Sequence, residues 1–181
     1  MSTGSSYLKD IYAAENLYIC EIKTEKISND IICGIPLGHD TDSLILYHLA
    51  EGGYLSDGFI IINGRDITAY YVADAPDCFM RRRQVRLDIG VPDNPLGRAY
   101  NHISAIRALS TARQLVAVSR YSSPEQGFLV GTIEAFDKYG MLLETVDEYG
   151  QVDDKLNIAL NDISRIEFQS RYLGFINKLR A

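Results

Sequence analysis

Along residues 128–135 apolar and polar positions alternate, with Phe128, Val130, Thr132 and Glu134 on one side and Leu129, Ile133 and Ala135 on the other. A period of two is the signature of a half-buried β-strand. Gly131 interrupts the alternation without ending it, as glycine does where a strand bends sharply or another backbone passes close. Residues 141–146, 155–160 and 163–168 predict three further strands. Upstream, strands are expected at 17–23, within 30–40, and at 43–49, 58–62 and 67–72, with a polar turn at 24–29 and a Glu51-Gly52-Gly53 turn. Two segments carry helical spacing instead. In residues 6–15, Ser6 is placed to cap a helix whose Leu8, Ile11 and Tyr12 form one apolar stripe, and residues 96–109 do the same through Tyr100, Ile103, Ile106 and Leu109. The amphipathic end, 172–181, fits a short helix or a strand.

The order repeats. Gly34 precedes Asp40 by the same six residues that separate Gly131 from Asp137. Leu44-Ile45-Leu46 answers Met141-Leu142-Leu143, Glu51 answers Glu148, and Asp66-Ile67-Thr68 answers Asp162-Ile163-Ser164, all at an offset of about 97 that slips by one in the intervening loop. Self-similarity on this scale predicts a duplicated domain: a first unit at 1–75, a connector at 76–95 and a second unit at 96–181. The fold expected is mainly β, two small, strongly bent five-stranded antiparallel barrels, each preceded by a short α-helix. Gly34 and Gly131 mark the bends. Asp40 and Asp137 mark tight turns, where a carboxylate accepts bonds from nearby backbone N–H groups. The first unit is the more degenerate: it has His39 before its aspartate, and Pro36 within a strand demands an unpaired side or a bulge.

The run V-G-T-I-E-A-F-D-K-Y-G-M-L-L, residues 130–143, resembles the first motif of Sm-like proteins, in which a glycine, an aliphatic residue and an F-D pair precede an apolar strand. It is most similar to the bacterial Hfq branch, with an aromatic two residues after F-D and then an aliphatic pair. Asp162-Ile163-Ser164 falls near that branch's second motif, and the likeness spans about fifty residues. The resemblance implies barrels that assemble by pairing strand edges, and a ligand face for RNA or a nucleotide. Tyr139 takes the place of the aromatic on which a base stacks, with Lys138 beside it; a plain core or interface tyrosine is the equal alternative. Leu160 and Asn161 stand where the branch has a lysine–histidine pair, so that cation is missing. The arginine–glycine pair of other Sm proteins is also absent, and Asn63-Gly64-Arg65 is only a reversed echo of it. Arg81, Arg82, Arg83 and Arg86 in the connector could replace the lost charge, although ion pairing against the acidic first unit is the simpler role. With two units per chain, a six-barrel ring needs a homotrimer; a self-closed chain and a pair of chains are the other closures.

Composition narrows this further. The chain has 181 residues, 46% hydrophobic and 23% charged, which is ordinary for one domain or two small ones. No apolar run approaches the roughly 20 residues of a membrane helix, so no membrane partner is expected. MSTGSSYLKD lacks the basic and apolar regions of a secretory signal. Three cysteines at unrelated spacings (Cys20, Cys33 and Cys78) fit reduced thiols in a cytoplasmic protein. A net charge of −6 argues mildly against a dedicated nucleic-acid binder. The units differ, however: residues 1–75 hold four basic and eleven acidic side chains, and residues 96–181 hold ten of each. Any contact with an anion is therefore expected on the second unit. There is no nucleophile motif, phosphate-cradling loop or metal signature. His39, His48 and His102 are dispersed and read as polar surface or loop residues, and Asp147-Glu148 and Asp153-Asp154 as a solvated loop. The expectation is a non-enzymatic oligomer without cofactor or metal that binds RNA or a nucleotide. The alternative is a scaffold that kept the assembly and lost nucleic-acid binding.

Overall fold

The computed structural model describes residues 20–24, 31–50, 55–72, 94–97, 101–123 and 128–180. The helix expected at 6–15, the turn at 51–53 and the Arg81, Arg82, Arg83 and Arg86 cluster lie outside the described residues. Among the described residues ten strands form in chain order: β1 (Cys20–Thr24), β2 (Ile31–His39), β3 (Ser43–Ala50), β4 (Leu55–Asn63), β5 (Ile67–Val72), β6 (Leu115–Arg120), β7 (Leu129–Phe136), β8 (Gly140–Val146), β9 (Val152–Ala159) and β10 (Ile163–Phe168). Helix α1 (His102–Thr111) precedes β6, and α2 (Arg171–Arg180) follows β10. No helix among the described residues is long and apolar enough to cross a membrane.

All ten strands join one antiparallel sheet in the order β5-β1-β2-β3-β4-β10-β6-β7-β8-β9. Each run of five has the same internal order, and the register repeats with it. Ile35 opposes Tyr47 as Thr132 opposes Glu144, and Tyr47 opposes Phe59 as Glu144 opposes Lys155. Even the irregularities coincide, since β2 slips between Pro36 and Gly38 and β7 between Ile133 and Ala135. Pro36 therefore borders a bulge, where a residue without an N–H is tolerated.

Two separate five-stranded barrels are not what forms. β4 does not close on its own unit; it pairs with β10, Phe59 opposite Phe168 and Ile61 opposite Ile166, so the units share one open sheet. An unpaired strand edge leaves a row of N–H and C=O groups unsatisfied, and this chain supplies the partner from within itself. That seam explains the composition of β4. Its Phe59-Ile60-Ile61-Ile62 run is buried throughout: Phe59 and Ile61 join one cluster, Ile60 and Ile62 another. A strand covered on both faces reads as a continuous apolar run.

Gly34 and Gly131 sit where a partner strand comes closest. A Cβ on Gly34 would lie 2.7 Å from the carbonyl oxygen of Tyr47, and one on Gly131 would overlap that of Glu144. Strand β6 escapes the pattern reading although Leu115-Val116-Ala117-Val118 is a short buried run. The helix expected at 96–109 starts six residues late, because Asn101 accepts a bond from the Ser104 N–H (2.8 Å) and Ser104 Oγ accepts one from the Asn101 N–H (3.3 Å), a capping box. The undecided C-terminus is helical: Leu173 and Ile176 bury against Leu115, Val130 and Val146, and Asp57 of β4 accepts the Arg171 N–H at 2.9 Å.

Candidate functional site

The β7–β8 turn carries the main candidate residues. Asp137 Oδ1 accepts the N–H groups of Tyr139 (2.8 Å) and Gly140 (3.0 Å), and these two donors hold its carboxyl below the usual carboxylate range. The backbone closes through Asp137 N–H to Gly140 O at 2.9 Å. On this turn Tyr139 stands 71% exposed, with Lys138 Nζ 4.8 Å from its ring centroid. Tyr139 O accepts the Leu160 N–H, which ties this turn to the Leu160–Asp162 turn of 3-10 helix. Beside Tyr139 lies an open cleft of about 560 Å³, walled by Phe136, Met141, Leu142, Asn157 and Ile158. The walls are mostly apolar; the polar groups are the Asp137 carboxylate, the Tyr139 hydroxyl and the amide of Asn157, which stands exposed on β9.

Tyr139 and Lys138 are thus together, but Asn161 is not with them. It lines a second cleft of about 540 Å³, bordered by Asp40, Asp42, Ser43, His102 and Arg107. Its carbonyl accepts a bond from Arg65 Nη2. Arg65 also lies over the ring of Tyr121 (4.2 Å to the centroid) and donates from Nε to its hydroxyl at 2.9 Å. Burial, ahead of a hydrogen bond with Asp66, pushes the Tyr121 phenol well above its usual range. The arginine of Asn63-Gly64-Arg65 is therefore engaged in the seam between units.

The second cleft repeats the first with a lid from the neighbouring unit. Asp40 Oδ1 accepts the N–H groups of Asp42 (2.9 Å) and Ser43 (2.7 Å), as Asp137 does in its own turn. Here α1 closes over the turn, and His102 Nδ1 meets Ser43 Oγ at 2.5 Å. Its Nε2 is buried without a partner. Burial lowers the His102 pKa from 6.5 to about 4; Asp40 and Asp42 oppose that shift and Arg65 adds to it. The unfolded chain therefore binds a proton in a pH range where the folded chain does not. This contribution is whole above about pH 6.5 and is lost as pH falls toward 4, about 3 kcal/mol in all. Urea unfolding at stepped pH is expected to show that slope, and His102→Gln, which has nothing to titrate there, is expected to flatten it.

Asp147 Oδ1 accepts the N–H groups of Tyr149 (2.9 Å) and Gln151 (2.8 Å), so it shapes a turn. No group of three or more potential metal-ligating side chains occurs among the described residues. Nothing in the sequence pattern marks out Asn157, which takes the exposed alternate position between Leu156 and Ile158. Compared with models of protein families, with curated proteins and with solved structures, the chain matches none.

Proposed function

We propose that this chain is a non-enzymatic binding module of Sm-like type, whose second unit takes the base of a single-stranded RNA or a nucleotide against Tyr139. The observation that carries the reading is the ring itself, 71% exposed on a turn pinned by Asp137 at the mouth of a mostly apolar cleft. Burying an aromatic ring gains about 2–3 kcal/mol, so a tyrosine held out of the core forgoes that gain and leaves a face for a planar ligand. Stacking one base there contributes about 1–3 kcal/mol, and the Asn157 amide can meet the edge of the base. Lys138 is the cation beside the ring, so phosphate attraction is small and the salt slope shallow. Fluorescence anisotropy with oligo-U and oligo-A at low and moderate salt tests this. Tyr139→Ala is expected to weaken binding about tenfold, equivalent to about 1.4 kcal/mol. A flat titration at low salt would remove the proposal.

The second reading is a scaffold in a cytoplasmic homo-oligomer, with three chains giving six units. What favours it is that β5 and β9 each border one strand only among the described residues. Anisotropy that stays flat while light scattering reports a multimer would select it.

A further inference from the structure

The seam inside the chain shows what a unit must offer for the next unit to dock on it. On the first unit the docking face is apolar. Ile35, Tyr47, Phe59 and Ile61 are buried in one cluster with Ile166 and Phe168 of β10. Phe59 stacks on Phe168 at 5.2 Å between centroids and lies 5.3 Å from Tyr47. Three further features latch it. Gly58, at φ +74°, lets β4 pass Gln169 so closely that a Cβ would lie 2.5 Å from that residue's carbonyl; Ser43 bonds His102, and Arg65 stacks on Tyr121.

The identical register carries each of these positions onto the second unit. There Thr132 replaces Ile35, Glu144 replaces Tyr47, Lys155 replaces Phe59 and Asn157 replaces Ile61. At the shared bulge, Glu134 replaces Leu37. The latches go too: Asp154 stands for Gly58, Gly140 for Ser43 and Asn161 for Arg65. In place of the aromatic stack is an ionic group, with Lys155 Nζ 3.1 Å from Glu144 and 3.7 Å from Glu134, which also meets Arg113 at 3.1 Å.

We infer that this face of β7, β8 and β9 terminates the array: a second copy does not dock its β5 on β9 in the way β10 docks on β4. Covering the face would desolvate two carboxylates and an ammonium with no aromatic contact in return, and desolvation costs several kcal/mol per ion. Charged side chains on an outer strand are a recurrent device against edge pairing, and residues 152–155 of β9 are all exposed. Duplication has thereby divided the labour: the first unit's face is spent on the internal seam, and the second unit's turn, with Tyr139, stays open. This inference is independent of what Tyr139 binds, and it opposes the three-chain ring of the second reading, which needs that β5–β9 contact.

Amide hydrogen exchange on the intact chain at high protein concentration tests it, with β4 as the internal reference. The β9 amides that face away from β8 are expected to exchange at rates near those of an unstructured peptide, while their β4 counterparts, paired to β10, are strongly protected. Protection of the β9 amides comparable to that of β4 would overturn the inference. The combined variant Glu134→Leu/Glu144→Tyr/Lys155→Phe, which restores the first unit's chemistry, is expected to self-associate as concentration rises in light scattering. If it folds with the wild-type circular dichroism and stays at wild-type mass, the charges are not the barrier and the inference fails. The exchange measurement decides the question whether or not that variant folds.

Discussion

Replacing Gly58 with alanine is expected to destabilise the protein by about 3 kcal/mol or more. Two costs combine. The residue sits at φ +74°, where a Cβ is strained by about 1–2 kcal/mol. The new methyl would also lie 2.5 Å from the backbone of Phe168 and Gln169, which cannot swing aside as a flexible side chain could. The damage falls on the seam, because those contacts join β4 to the β10–α2 corner. Urea denaturation measures the loss. Gly174→Ala is the matched control: it lies in α2 with nothing within 4 Å of an added Cβ, so the substitution is expected to stabilise by about 0.5–1 kcal/mol. Equal midpoints for the two variants would refute the close-approach argument.

Truncating Phe168 to alanine is expected to cost about 3–5 kcal/mol, the range for a large aromatic removed from a packed core. Phe168 is fully buried, stacks on Phe59, and belongs to the cluster that runs through both units and α1. Thermal unfolding followed by circular dichroism should show a large drop in midpoint. If the cluster is continuous, loss should remain cooperative, with both units unfolding in one transition. A two-step transition would mean the seam is not a shared core.

Much of this was legible in the residues. Alternation located β7, apolar runs located β8, β10 and most of β9, and the repeat at an offset of about 97 agrees with the matching register of the two fives. Asp40 and Asp137 could be read as turn residues because an Asx turn is local chemistry, settled by bonds to residues two and three positions on. The contrast between F-I-I-I in β4 and K-L-N-I in β9 was also on the page, but its meaning was not. A continuous apolar run says that both faces are covered without saying by what. β6 was passed over because a short buried run has no periodicity to announce it.

The candidate site divided along the same line. The aspartate-pinned turn that carries Tyr139 is local chemistry, whereas the exposure of the ring, and the use of Arg65 in the seam, depend on how distant segments meet. His102 looked like a dispersed polar residue, and only its burial against Ser43 gives it a lowered pKa.

What the chain's own order of residues determined is strand periodicity, glycines at bends, aspartates at turns, and the repeated order of elements. The tertiary structure alone decided that β4 closes on β10 and not into a barrel of its own. That choice is made by desolvation over a whole face, apolar on one unit and ionic on the other, and burial of a face is a sum over residues that sequence distance does not reveal.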